Sequence, residues 1–249
     1  MIKSAKLPLL LKQLGLPIMY QNFETKAEEA MQEHWTYTDY LSVLSDLEVS
    51  SRRQKRIARH IKDSKLPAGK TLDRFDFKAT KSINAAQIQA LAENNSWVKQ
   101  ANNLVIFGPS GVGKTHLACA IAHRMIEQGS RALFISTTVL VQKLQKARSE
   151  LKLQDYLSKL ARYPLLVLDD ISYVKKSEME TSVLFELIAD RYETNSLIIT
   201  SNQPFGEWDQ IFPDNTMAVA AIDRLVHHAT IINIQEQSYR KATANKINH

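Results

Sequence analysis

Leu104-Val105-Ile106-Phe107-Gly108-Pro109-Ser110-Gly111-Val112-Gly113-Lys114-Thr115 is the stretch on which the fold turns. Four consecutive apolar residues read as a strand covered on both faces. The octet behind them fits G-x-x-x-x-G-K-[ST], and a helical pattern follows from Lys114 to Gln128. Strand, glycine loop and helix in that order make a phosphate cradle. Its glycines let backbone N–H groups turn inward without Cβ clashes, and the helix N-terminus adds favourable partial charge. In this reading Gly108, Pro109, Ser110, Gly111, Val112, Gly113, Lys114 and Thr115 surround a nucleotide. Lys114 reaches the β/γ-phosphate oxygens, and the Thr115 hydroxyl ligates Mg²⁺.

Further short apolar runs lie at Ala132–Ile135, Leu165–Leu168, Ser196–Thr200 and Thr230–Ile234. Helical stretches at Val139–Arg162, Glu178–Thr194 and Met217–His227 separate them. Buried strands alternating with helices predict an α/β fold with a parallel sheet flanked by helices. The third strand ends in Asp169-Asp170. On the edge that carries the glycine loop, Asp169 serves Mg²⁺ and Asp170 orients or deprotonates an attacking water. A further strand ends in Thr200-Ser201-Asn202, which either brings Asn202 near the γ-phosphate on the same edge or makes it part of an ordinary turn into Pro204. Gly69-Lys70-Thr71 repeats the end of the loop motif, but Ser64 replaces its first glycine and no buried strand precedes it, so it reads as a turn. Asn245-Lys246-Ile247-Asn248 lacks the acid of a guanine signature, which favours ATP over GTP.

Residues 1–65 read differently, as helices alone. Leu7, Leu10, Leu11 and Leu14 keep helical spacing up to Gly15 and Pro17, and Phe23, Ala27, Ala30, Met31 and His34 share a second face. Thr36 to Asp39 resembles a capping box opening a third helix through Leu47. Ser50 or Ser51 then caps a fourth that carries the basic run. Leu66-Pro67-Ala68-Gly69 breaks the pattern, and Leu72–Phe77 reads as extended. The expected boundary is near residue 70, between a helical domain, 1–70, and an α/β domain, 71–249.

Charge marks out the same region. The net charge is +6, and residues 52–65 hold seven bases against Asp63 alone, so the rest of the chain is neutral. On a helix Arg52, Lys55, Arg56, Arg59 and Lys62 form a like-charged stripe, with Arg53 the further candidate in the same run, and such a stripe repels itself unless a polyanion lies on it. No aromatics interleave it to stack on unpaired bases, so the expected partner is the backbone of duplex DNA.

With 44% apolar and 23% charged residues, disorder and fibrous structure are excluded. No apolar run has the length of a membrane span, and no small-residue cleavage site follows the N-terminus. The single cysteine, Cys119, fits a reducing cytoplasm. The seven histidines show no metal-ligand spacing.

Together these motifs resemble the AAA+ ATPases. More narrowly, the chain resembles the IstB-like helper ATPases of bacterial insertion-sequence transposition and their relatives, the DnaC helicase loaders. That resemblance rests on Trp35–Leu41, Arg52–Pro67, Lys70–Phe77, the glycine loop, Ala189–Glu193, Thr200–Phe205 and Asp223–Ala229. It implies ATP and Mg²⁺ as cofactors and hydrolysis of ATP. Asn202 then resembles a γ-phosphate sensor, and Arg224 an arginine finger offered to an adjacent subunit of a homo-oligomer, with Arg191 the other candidate. It further implies assembly on duplex DNA and recruitment or stimulation of the transposase of the same element; a DnaC-like loader is the alternative.

Two features depart from the pattern. Asp170 stands where the catalytic carboxylate is more often Glu, one methylene longer. Fifteen residues follow Ile234, too few for the helical lid of many AAA+ proteins, although Arg240 stands where a lid arginine is expected. A small-molecule P-loop kinase, the remaining class, requires an acceptor lid with its own arginine cluster, and none is present in the sequence.

Overall fold

The computed structural model describes residues 6–171, 177–203, 207, 208, 215–236 and 238. By internal contacts the chain forms two compact units, residues 1–59 and 60–249. Arg240 lies outside the described residues.

In the first unit, helices α1 (Leu7–Gln13) and α2 (Pro17–Gln32) each begin with Pro in the first turn, where its missing N–H costs nothing. The capping box expected at Thr36 is present: the Thr36 amide donates to Asp39 Oδ2 at 3.1 Å, and the Asp39 amide to Thr36 Oγ1 at 3.2 Å. It opens α3, a single helix from Tyr37 to Ser64. The separate helix expected from Ser50 or Ser51 does not exist. No Gly or Pro interrupts residues 37–64, so nothing forces a stop, and both serines sit mid-helix.

Glu48, on α3, is 4% exposed. Its carboxylate accepts from the Ile18 and Met19 amides at the start of α2, at 2.8 and 3.2 Å, and from Arg52 Nε at 2.9 Å. Arg52 also donates to the Gly15 carbonyl at 2.6 Å. One basic residue of the stripe is thus already spoken for inside the unit. Burial pushes the Glu48 carboxyl up, but the bonds from Arg52 and the two amides outweigh it and hold it below the usual range. A depressed carboxylate pKa contributes stability above the unfolded value, and this is lost as pH falls through the folded one. We expect Arg52→Ala to destabilise this unit by about 1–3 kcal/mol, by leaving a buried carboxylate short of a partner. Melting followed from neutral to acid pH checks this: the variant's deficit shrinks as Glu48 protonates.

The second unit takes in the end of α3 and continues with a 3₁₀ turn at Leu72–Arg74, not the extended segment expected there, followed by α4 (Ala85–Glu93) and α5 (Ser96–Lys99). Then come β1 (Asn103–Phe107), α6 (Lys114–Glu127), β2 (Ala132–Ser136), α7 (Thr137–Ser149), α8 (Leu153–Ala161), β3 (Leu165–Asp169), α9 (Glu178–Arg191), β4 (Ser196–Ser201), α10 (Asn215–Val226) and β5 (Ala229–Asn233). All four strand pairings are parallel, in the order β2-β3-β4-β1-β5. Every strand falls within a residue or so of its expected place, because an unbroken apolar run has one economical use in a sheet buried on both faces.

The helix expected from Val139 to Arg162 is two. Leu151, at φ +56, turns the chain between α7 and α8. The Lys152 amide reaches back to the Ala147 carbonyl at 2.8 Å, and the Leu151 amide to Arg148 at 3.0 Å, which closes the helix end. Glycine normally marks that turn; an exposed leucine does not announce it. Cys119 is buried in α6, and burial pushes its thiol up to about 12.

Candidate functional site

Because the strands are parallel, the ends of β1, β3 and β4 share one edge. Gly108 leaves β1 at φ +148, and a Cβ there would sit 2.2 Å from the Ile234 carbonyl, so no side chain fits without moving the backbone after β5. Gly113, at φ +98, caps α6 in a left-handed conformation. The loop between them is closed by Lys114, whose Nζ donates to the Gly108 and Pro109 carbonyls at 2.7 and 2.8 Å.

A cleft of about 370 Å³ opens over this loop. Ser110, Gly111, Val112, Gly113, Lys114 and Thr115 line it, facing Asp169 and Asp170. The Thr115 hydroxyl donates to Asp169 Oδ1 at 2.8 Å. Two hard oxygen donors on a common hydrogen bond are the donor set that Mg²⁺ takes beside a triphosphate, so these residues fit the ion. Asp169 is steadied from behind by Thr137 Oγ1, which donates to its carbonyl at 3.1 Å.

Thr200 was not among the site residues expected from sequence. Its hydroxyl donates to Asp169 Oδ1 at 2.7 Å and accepts from the Asp170 amide at 2.8 Å. It therefore fixes the Asp169 carboxylate and the Asp170 backbone, and holds Asp170 in the left-handed conformation, φ +62, that aspartate tolerates better than most side chains. The only sequence signal was a hydroxyl residue ending an apolar strand. The segment before α4, expected to be a turn at Gly69–Thr71 and extended over Leu72–Phe77, also contributes: Lys70, Arg74, Phe75, Asp76 and Thr80 line the cleft. His116 on α6 anchors that segment through the Thr71 carbonyl, at 2.8 Å, and packs edge-on to Phe75.

Asn202 lies just past β4 on this edge, exposed, and is not among the residues lining the cleft. Arg224 lies elsewhere. It is near the end of α10, donates to the Ala220 carbonyl at 3.2 Å and stands over the Phe185 ring at 5.2 Å. Next to it the Leu225 carbonyl accepts from Asn103, the first residue of β1. The length of β1, about 15 Å at about 3.3 Å per residue, separates that end from the glycine loop.

Arg191 is removed from the finger candidates. It is 1% exposed and donates to the carbonyls of Leu160, Tyr163, Pro164 and Ser196 at 2.9 to 3.3 Å, tying the starts of β3 and β4 together. Burial pushes its guanidinium down to about 9, so it keeps its charge at neutral pH among those acceptors.

Of the basic stripe, Arg53, Lys55, Arg56, Arg59 and Lys62 are exposed on α3, and Val49, Arg52, Arg53, Lys55, Arg56 and Arg59 line a shallow groove along it. Arg52 differs from its neighbours in being held by Glu48 and Gly15.

The sequence model of the family described as IstB-like ATP binding protein matches residues 9–247. The chain belongs to this family. An insertion sequence ATP-binding protein of Sinorhizobium fredii is 48% identical over 98% of the chain and 82% of its own length. The ATP-binding protein of insertion sequence IS21 from Pseudomonas aeruginosa is 35% identical over 94% of the chain and 88% of its own. Among solved structures the IstB-like fold resembles the DnaC helicase loader, with a TM-score of 0.51 and 25% identity over 61% of this chain and 92% of that one. It also resembles AMPPCP-bound DnaA from Aquifex aeolicus, with a TM-score of 0.58 and 18% identity over 74% of this chain and 56% of that one. The expected AAA+ class, a parallel sheet flanked by helices and preceded in sequence by a helical N-terminal region, is thus met. No helix among the described residues is long and apolar enough to cross a membrane.

Proposed function

We propose that this IstB-like chain is an ATP-dependent helper of insertion-sequence transposition: it binds ATP·Mg²⁺ in the cleft, hydrolyses it, assembles on duplex DNA and recruits or stimulates the element's transposase. The observation that carries the ATPase half is the Thr115–Asp169–Thr200 hydrogen-bond chain behind the glycine loop. Lys114 and the loop amides hold the β- and γ-phosphates. Thr115 and Asp169 would hold Mg²⁺, which would supply charge to screen the phosphates. Asp170, set by Thr200, orients the attacking water, with Asn202 beside it at the sheet edge. The names of the relatives favour transposition over helicase loading, since they belong to insertion sequences. We place the partner- and DNA-binding domain at residues 1–70 and the ATPase domain at 71–249, the chain acting as a homo-oligomer with ATP sites between subunits.

The DNA half rests on the exposed side of α3. Arg52 is committed to Glu48, so the variant that isolates phosphate contacts is Arg53/Arg56/Arg59→Ala, with Arg52 retained. Binding of duplex DNA, measured across a salt series, should lose about 0.9 in log–log slope per contact removed, up to about 2.7 for three, with little dependence on sequence. A variant that still binds ATP but shows the wild-type slope and affinity moves the DNA surface off this helix.

A further inference from the structure

His227 and His228 are neighbours in the turn between α10 and β5, and Glu193 lies thirty-four residues earlier, in the turn after α9. No spacing in the sequence connects them. The fold brings one donor atom from each to within 4.8 Å of the others, and all three side chains are exposed. We propose that Glu193, His227 and His228 bind a divalent transition-metal ion, with Zn²⁺ the best match.

Ligands about 2.1 Å from a tetrahedral ion stand about 3.4 Å apart, a distance these side chains reach by small rotations from where they are. The backbone beneath them is fixed. The His227 amide donates to Asp223 at 2.9 Å, the His228 carbonyl accepts from Asn103 at 2.9 Å, and the Tyr192 amide is bonded to Ile188 at 3.0 Å. The two imidazoles lie side by side, centroids 4.1 Å apart and tilted by 44° to one another. The Tyr192 hydroxyl meets His227 Nδ1 at 2.8 Å. With the proton on Nδ1 and the phenol oxygen accepting it, Nε2 keeps its lone pair for a metal, which is how bound histidines are commonly oriented.

The donor set selects the ion. Two imidazoles and one carboxylate suit Zn²⁺ and its transition-metal neighbours, whereas Mg²⁺ and Ca²⁺ take oxygens alone. Three protein ligands leave a coordination position open to water or a further donor. Arg224 stands one helical turn before the histidines on α10, so an occupied site adds positive charge beside it. The metal binding is independent of the nucleotide reading and is tested without ATP.

Tag-free full-length protein is titrated with Zn²⁺ against a chromophoric chelator, and Co²⁺ is added in parallel for its visible ligand-field bands. The expected result is one saturable ion per chain, with Co²⁺ bands of a four-coordinate site. His227→Ala/His228→Ala and Glu193→Gln should each weaken binding by at least about 10-fold, and Tyr192→Phe by about 10-fold. His123→Gln, whose imidazole is paired with Glu127 on α6, should leave it unchanged. Because the three ligands are exposed, unchanged melting temperatures show that the variants fold. Wild-type binding no tighter than that of the double histidine variant, or equal loss in His123→Gln, overturns the assignment.

Discussion

Replacing Lys114 by Ala should abolish useful ATP binding. In the structure its ammonium bridges the Gly108 and Pro109 carbonyls from the root of α6, so it is already held over the loop. Exchanging those neutral acceptors for phosphate oxygens makes charge-assisted bonds, which are shorter and about twice as strong. Losing one costs about 1.5–3 kcal/mol, roughly 10–150-fold in affinity. The lysine also offsets repulsion among the phosphate charges, which places the expected loss at the upper end of that range. Equilibrium binding of ATP, with folding checked by circular dichroism, decides it. Affinity equal to wild type means that the cleft over the glycine loop is not the nucleotide site.

The second large effect concerns hydrolysis and needs two chains. Arg224 sits at the far end of β1 from the loop, so it does not serve the cleft of its own chain. An arginine finger contributes about 10³–10⁵-fold in rate. Arg224→Ala and Asp170→Asn proteins should therefore each be nearly inactive, the first lacking the finger and the second the carboxylate. Mixed in equal amounts, they form some interfaces in which an intact Asp170 meets an intact Arg224. Head-to-tail contacts filled at random make this roughly a quarter of the sites. Steady-state ATPase should rise towards that fraction of the wild-type rate. Mixtures that co-assemble yet stay as inactive as their parents show that Arg224 does not act in trans.

Arg191 illustrates how a sequence misleads about such roles. In Ala189-Asp190-Arg191-Tyr192-Glu193 it looks like any surface cation at a helix end. Its four carbonyl acceptors come from the end of α8, the entry to β3 and the first residue of β4. None of these is near it in sequence except Ser196. Burial of a charge is decided by what folds over it, and that is not written in its neighbours. Arg52 makes the same point in the other unit, since Glu48 lies one helical turn away but the Gly15 carbonyl comes from the connection between α1 and α2.

What the sequence by itself determined was whatever depends on short-range geometry. Five apolar runs gave five parallel strands, the glycine octet a loop between β1 and α6, and the Thr36–Asp39 pair a working cap, because period, glycine conformation and capping each act within a few residues. The tertiary structure alone decided which groups meet across the chain. It set Thr200 between Asp169 and Asp170, drew Lys70, Arg74 and Phe75 over the glycine loop, buried Arg191, turned Arg224 away from its own cleft, and gathered Glu193 with His227 and His228. Those meetings follow from strand order and from how helices pack on the sheet, and parallel strands joined by helices bring together residues that no local pattern links.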